Sequence, residues 1–169
     1  DYNPGGRLAV TFPKSVGQIP FAFPFKPGSD ESSETSVYGA LYPFGHGLSY
    51  TTFQYSDLAI SPSKQGVQGN ISISCTIKNI GQREGDEVVQ LYLRDEVSSV
   101  TTYTQVLRGF ERITLKPEAS HTVHFELTPQ ELGIWDKQMN FTVEPGMFKV
   151  MIGSSSKDIR LKGEFEIAQ

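Results

Sequence analysis

The residues that could carry chemistry in this chain are, first, its carboxylates, because paired Asp and Glu side chains act as general acids, bases and nucleophiles. Three groups stand close together in the sequence: Asp30, Glu31 and Glu34, then Asp86 and Glu87, then Glu164 and Glu166. The first group lies in a small polar run without the apolar neighbours that would raise a pKa. The second lies at a predicted turn, and the third on the polar face of a predicted strand. We therefore predict that all of them are solvated charges, and we assign no catalytic residue.

Histidine and cysteine offer the other chemistry to consider, metal binding and nucleophilic attack. His121 and His124 are three positions apart on a predicted strand, so they point to opposite faces and cannot chelate one metal ion. His46 lies between two glycines, where it could line a sugar site; we favour a hydrogen-bonded His that holds its segment in place. Cys75, the only cysteine, is predicted to be an inert core thiol. The sequence implies no metal site and no cofactor.

Aromatic side chains could bind sugar rings by stacking, and the candidates are Trp135, Tyr92 and Tyr103. Both tyrosines are predicted to be exposed. A carbohydrate-binding module would need a solvent-facing row of aromatics, whereas these three are scattered along the chain. A single Trp in a β-protein also belongs more often to the core or its rim. An autonomous carbohydrate-binding module is therefore the alternative prediction, and a free-standing adhesion or signalling domain is a third.

Composition limits the class of protein. The chain has 169 residues, 37% of them hydrophobic, and a net charge of −4, values typical of a soluble globular domain with an appendage. The negative charge argues against a nucleic-acid partner, which needs a basic face. No apolar run approaches the roughly 20 residues of a membrane span. The first residues, beginning at Asp1, are not a signal peptide and lack Met, so we expect the chain to be cut from a longer one.

From Phe53 onward the pattern is that of an all-β protein. Ile71, Ile73, Cys75 and Ile77 alternate with polar residues, and similar runs recur at a spacing of about ten residues. Seven or so such strands predict an antiparallel, immunoglobulin-like β-sandwich. Three local features are also predicted: a bulge or bend at Gly109, one helical turn with Thr128 as N-cap and Pro129 at its first position, and two minor strands around residues 136–138.

The first 52 residues, here called the N-terminal arm, have a different character. Half of the ten prolines lie before residue 40, and residues 28–36 are small, polar and acidic, as in a solvent loop. Residues 40–53 gather four Tyr and Phe residues and His46 around Pro43, Gly45 and Gly47, which favours a shaped, packed connector over a flexible linker. The phenylalanines of the arm are predicted to pack against something outside this chain.

Five motifs extend in order over nearly the whole chain. They are Asn3-Pro-Gly-Gly-Arg-Leu-Ala-Val-Thr-Phe-Pro-Lys14, Tyr42-Pro-Phe-Gly-His-Gly-Leu-Ser-Tyr-Thr-Thr-Phe53, Gly85 to Asp95, Leu107-Arg-Gly-Phe-Glu-Arg112, and Glu144 to Ser155. Together they resemble the C-terminal end of glycoside hydrolase family 3 enzymes of the β-glucosidase type. One departure is the segment 100–107, which lacks the Arg-Pro that many relatives carry after Val-Thr, so a contact made there by the Arg is not carried over.

The resemblance implies the organisation and the function. Residues 53–169 would be a fibronectin type III-like domain, and residues 1–52 the tail of a preceding α/β sandwich domain with its linker. In this family the nucleophile is an Asp of the N-terminal barrel and the acid/base comes from the next domain, and neither motif is matched here. The expected function is therefore a non-catalytic structural domain that braces the catalytic domains, its Val97–Thr104 loop shaping the rim of the active site.

The expected partners follow from the same resemblance. They are the upstream catalytic domains of the same chain and, through the parent enzyme, an oligo- or polysaccharide; nucleic acid is not expected. The parent would be periplasmic or secreted. The residues expected to pack between domains are Tyr42, Phe44, His46, Tyr50 and Phe53.

Overall fold

The computed structural model of the chain describes residues 2–18, 22–28 and 39–169. Asp30, Glu31 and Glu34, and most of their polar loop, lie outside the described residues. In chain order the strands are β1 (Phe12–Pro13), β2 (Ala40–Tyr42), β3 (Phe53–Ser61), β4 (Lys64–Gly66), β5 (Ile71–Asn79), β6 (Gly85–Asp95), β7 (Val106–Leu115), β8 (Ser120–Leu127), β9 (Ile134–Trp135), β10 (Phe141–Thr142), β11 (Gly146–Gly153) and β12 (Ile159–Ala168), and the helix is α1 (Pro129–Leu132).

Two sheets make up the main body. One has five strands in the order β4-β12-β11-β6-β7, and the other has three in the order β3-β5-β8. Neighbouring strands are antiparallel, except that the short β4 runs parallel to β12 at the edge of the larger sheet. The two sheets bury their facing side chains against each other. The predicted antiparallel β-sandwich is confirmed.

The core consists of the apolar members of the alternating runs. Its residues from β5, β6, β8, β11 and β12 are Ile71, Ile73, Cys75, Ile77, Val89, Leu91, Leu93, Val123, Leu127, Phe148, Val150, Ile152, Phe165 and Ile167. Burying one such aliphatic or aromatic side chain stabilises the fold by about 1.5–3 kcal/mol. Phe148 and Phe165 stack across β11 and β12 with ring centroids 5.4 Å apart. Burial also raises the pKa of the Cys75 thiol to about 11, as expected for an inert core thiol.

The predicted local features are present. Helix α1 is one turn long, and Thr128 caps it by accepting a hydrogen bond from the Gln130 amide at 3.3 Å. In return the Glu131 carboxylate accepts from the Thr128 amide at 2.8 Å, which completes a capping box. Strands β9 and β10 pair as the two minor strands on either side of Asp136.

The N-terminal arm crosses the outer face of the five-stranded sheet instead of extending into solvent. Backbone hydrogen bonds fix its course: the Leu8 amide donates to the His46 carbonyl at 2.9 Å, and the Gly45 amide donates to the Leu8 carbonyl at 2.8 Å. Two more join it to the sandwich, from the Ser156 amide to the Phe44 carbonyl and from the Thr104 amide to the carbonyl of residue 25. The arm is thus a third layer on one side of the sandwich.

Candidate functional site

The contact between arm and sheet is centred on Tyr92. The prediction that Tyr92 is exposed is wrong, because its side chain is 0% exposed. Phe23 of the arm meets the Tyr92 ring edge-on at 5.7 Å and stacks on Phe44 at 4.5 Å. The phenol donates a hydrogen bond to Gln90 Oε1, and burial raises the pKa of Tyr92. Strand alternation placed Tyr92 correctly on the outer face, but it could not reveal that the arm covers that face.

Gln90 joins three parts of the chain at this contact. Its Nε2 donates to the Ser154 carbonyl at 2.6 Å and to the Gly45 carbonyl at 3.2 Å. Gly45 has a φ of +82°, and a Cβ at this position would lie 2.1 Å from Gln90 Oε1. Only glycine therefore lets the connector approach the sheet this closely.

Two carboxylates at the start of β6 also hold the arm. The prediction that Asp86 and Glu87 are solvated is wrong, since both side chains are buried. Glu87 forms an ion pair with Arg7 of the arm; burial raises the pKa of the Glu87 carboxyl, and Arg7 partly offsets this. The sequence could not show this, because the partner is 80 residues away in the chain.

Asp86 points to a different set of partners. Its carboxylate accepts from the Thr114 hydroxyl at 2.6 Å, from Arg112, and from the Tyr2 hydroxyl at 3.2 Å. These bonds, that of Thr114 first, lower the pKa of Asp86. Asp86 is therefore held as a carboxylate at the junction of arm and sheet. The third predicted group agrees with expectation: Glu164 is exposed, and Glu166 pairs with Lys64 at the surface at 2.8 Å.

The five residues expected to pack between domains occupy three kinds of position. Tyr42 and Tyr50 are exposed, while Phe44 and His46 are half-buried within the arm. The His46 ring stacks on Tyr42 at 5.0 Å, and its hydrogen bonds run through its backbone. Phe53 is buried in the sandwich core, so its packing surface is used inside this chain.

The outward side of the arm is apolar. The exposed large hydrophobic residues of the arm are Tyr2, Val10, Phe12, Val16, Leu41, Tyr42, Leu48 and Tyr50. A soluble surface rarely gathers so many on one short segment without a partner. The arm therefore has two apolar sides, one on the sheet and one free in this chain.

The remaining candidates lie at the surface of the sandwich. Trp135 is 59% exposed, and its indole meets Phe141 edge-on at 5.5 Å. Tyr103 is 42% exposed. His121 pairs with Glu111 at 3.5 Å.

Across the described ranges, His, Cys, Asp and Glu form no group of three or more able to hold a metal ion. None of the helical segments found there has the length and apolarity of a membrane span.

Residues 87–156 match the family model of the fibronectin type III-like domain. The chain is 42% identical, over 99% of its length, to a periplasmic β-glucosidase of Salmonella typhimurium, and 43% identical, over 96%, to a β-xylosidase of Formosa agariphila. Among solved structures, a β-glucosidase from Erythrobacter marinus superposes with a TM-score of 0.92 at 36% identity over 98% of the chain. This chain belongs to the C-terminal, fibronectin type III-like part of the glycoside hydrolase family 3 enzymes.

The family predicted from the five motifs is thereby confirmed. The chain spans 23% of the length of the Salmonella and Formosa relatives and 22% of the Erythrobacter structure. The matched range of the fibronectin type III-like domain includes Tyr92 and Trp135, so it contains the sheet side of the arm contact and the exposed tryptophan.

Proposed function

We propose that this chain is the non-catalytic structural domain of a glycoside hydrolase family 3 β-glucosidase or related exo-glycosidase, and that it braces the catalytic domains. In this proposal residues 53–169 are the fibronectin type III-like domain. Residues 1–52 are the tail of the preceding α/β sandwich domain and its linker. The parent would hydrolyse O-glycosyl bonds of an oligo- or polysaccharide.

The observation that carries the proposal is the two-sided arm. Its inner side is joined to the sandwich by the Phe23–Tyr92 contact, the Gln90 hydrogen bonds and the buried Arg7–Glu87 pair. Its outer side exposes Leu48, Tyr50 and other apolar residues. A segment packed on both sides would hold the sandwich in a fixed position relative to the domain that covers its outer side. This is what we mean by bracing.

The substrate class and compartment of the parent follow from the relatives. Those compared above are named β-glucosidases and a β-xylosidase, so β-linked glucose or xylose is the expected substrate. The Salmonella protein is named periplasmic, which supports a periplasmic or secreted parent.

The Val97–Thr104 loop is the part of the domain that we assign to the rim of the active site. Its conformation is fixed at Ser99, whose amide donates to Glu144 Oε2 at 2.8 Å. Ser98 adds a hydrogen bond to the Val100 carbonyl at 2.8 Å. These bonds restrain the loop, which a rim element requires.

The bracing role is tested by deleting Phe53–Gln169 from the parent enzyme. The deletion exposes the inner side of the arm, so we expect the melting temperature and soluble yield to fall sharply. The kcat of the molecules that remain folded should stay within about tenfold, equal to about 1.4 kcal/mol of barrier. A truncated enzyme that stayed soluble, stable and active would overturn the bracing role.

A second variant separates bracing from the rim assignment. Replacing residues 97–103 with a Gly/Ser loop of equal length leaves the arm contacts intact, including the bond from the Thr104 amide to the carbonyl of residue 25. We expect an unchanged melting temperature with an altered KM. An unchanged KM would contradict the rim assignment and leave the bracing role standing.

A further inference from the structure

A recess opens beneath the Val97–Thr104 loop, between the ends of β6 and β7 and the β9–β10 hairpin. Its polar and aromatic lining includes Asp95, Tyr103, Arg108, Glu131 and Trp135. The recess has a volume of about 260 Å³. Pockets for small molecules begin at about 300 Å³, so this one suits a single compact ring or sugar unit.

A β-bulge directs Arg108 into this recess. In the pairing of β6 with β7, Leu91 lies opposite Gly109 and Tyr92 lies opposite Leu107, so Arg108 is the extra residue. A bulge of this kind turns a side chain away from its regular direction. Arg108 Nε is buried without a hydrogen-bond partner among the described residues, and burial lowers the pKa of the guanidinium. A buried donor left unpaired is costly, so it calls for a ligand or water.

Two carboxylates on the same wall supply acceptors. Asp95 ends β6 and accepts from the Val97 amide through Oδ1 at 3.3 Å; its Oδ2 receives no hydrogen bond from the described residues. Glu131 is fixed by the capping box of α1, with Oε2 turned to Thr128. The recess thus combines donors of one residue with acceptors of two others on rigid elements.

The aromatic side of the recess is partly open to solvent. Trp135 exposes more than half of its surface, and its edge-to-face contact with Phe141 restrains the indole. Tyr103 stands on the loop that borders the other side of the recess. A flat aromatic face beside mixed donors and acceptors is the arrangement that a sugar ring needs, with its C–H face on the aromatic group and its hydroxyls toward the charges.

We propose that this recess binds one neutral pyranose unit of an oligosaccharide, stacked on Trp135 and hydrogen-bonded by Arg108, Asp95 and Glu131. An anionic ligand would meet two carboxylates. An apolar ligand would leave the buried Arg108 Nε without a partner. A polyol satisfies both signs of charge, since each hydroxyl can donate and accept. The site adds a ligand-binding role to the bracing role and does not depend on it.

The site is tested by titrating the 15N-labelled chain with cellotriose and with xylotriose while following amide shifts and the fluorescence of Trp135, its only tryptophan. We expect saturable shifts confined to residues 95–108 and 131–135. Trp135→Ala should weaken binding about tenfold or more, or about 1.4 kcal/mol. Arg108→Gln should also weaken it, because the shorter amide lacks the guanidinium charge and the Nε donor of Arg108.

The matched control is Phe110→Ala. It removes an exposed aromatic side chain that lies on β7, outside the recess, and it should leave the affinity for the sugar unchanged. Trp135 is at the surface, so its variant is expected to fold, and its amide spectrum verifies this. The site would be overturned if neither sugar produced a response up to about 10 mM. A dissociation constant of about 10 mM corresponds to a binding free energy of about −2.7 kcal/mol. Shifts produced equally by inorganic sulfate would also overturn it, by making the recess an anion site.

Discussion

At the scale of single residues, Tyr92 shows what the sequence could and could not predict. The alternation of Leu91, Tyr92 and Leu93 predicted correctly that Tyr92 faces away from the core. Its burial depends on Phe23, which is far away in the sequence and carries no periodic pattern. Asp86 and Glu87 were misjudged for the same reason, because Arg7 of the arm pairs with Glu87, and Tyr2 of the arm joins Thr114 and Arg112 in bonding Asp86. Local patterns determine direction, whereas burial also depends on distant segments.

Tyr92→Phe isolates the hydrogen bond from the ring packing. The phenylalanine keeps the contact with Phe23 but leaves Gln90 Oε1 without this donor. The free energy of unfolding should therefore fall by about 1–3 kcal/mol, measured by urea denaturation. Phe110→Tyr, which adds a hydroxyl to an exposed ring, should change it by less than about 0.5 kcal/mol. Equal stability of Tyr92→Phe and the parent chain would show that the bond contributes nothing.

Asp95 makes the stability depend on pH. Burial, together with the nearby Glu144 and Glu96, raises its pKa from 3.8 to about 6. The folded chain then binds this proton more tightly than the unfolded chain, so the Asp95 contribution to stability declines as pH rises from about 4 to about 6. Asp95→Asn removes this contribution.

The stability of Asp95→Asn relative to the parent chain should therefore increase across that window and stay level above it. Thermal unfolding at several pH values between about 4 and about 7 measures the difference. Asp136→Asn is the control of opposite sign, because hydrogen bonds from Asn140 lower the pKa of Asp136. The stability difference between Asp136→Asn and the parent chain should be constant above about pH 4 and shrink only below it, where the Asp136 carboxylate is protonated. If the difference in stability between Asp95→Asn and the parent chain were the same at every pH, the raised pKa of Asp95 would be contradicted.

At the scale of elements, the sandwich strands were predictable and the course of the arm was not. Alternating runs such as Ile71–Ile77 determine both a strand and the face that it buries. Gly109 and the Thr128–Pro129 pair marked the bulge and α1, since these residue types have specific backbone roles. The arm has no period, and its prolines and phenylalanines are compatible with many courses. The sequence predicted that the phenylalanines of the arm pack against something outside this chain, whereas Phe23 packs on Phe44 and on Tyr92 of the sheet.

The arm should therefore be a structural part of the sandwich. A chain that begins at Phe53 lacks Phe23, Phe44 and Arg7, and it leaves Tyr92 and Glu87 uncovered. We expect lower stability against urea and strong binding of the dye ANS, which reports exposed apolar surface. Tyr92→Ser in the shortened chain should reduce the dye signal. A shortened chain as stable as the full one, without dye binding, would show that the arm is dispensable.

At the scale of the whole molecule, the recess is the feature that the sequence did not predict. The recess depends on an irregularity, because without the bulge Arg108 would follow the regular alternation of β7. The sequence offered Gly109 as a hint of the bulge but gave no sign that Asp95, Glu131 and Trp135 converge there. Their convergence results from how the ends of three different elements meet, which no local pattern encodes.

The covered face of the sheet also has a consequence for gene shuffling. A recombination crossover at the codon of Phe53 would join a sandwich from one enzyme to an arm from another, and Tyr92 would meet a foreign Phe23 and Phe44. A crossover ahead of Asn3 would exchange the sandwich together with the segment that completes it. Functional chimeras should therefore have their junctions upstream of the arm. The segment that must be exchanged as a whole is thus longer than the β-domain itself.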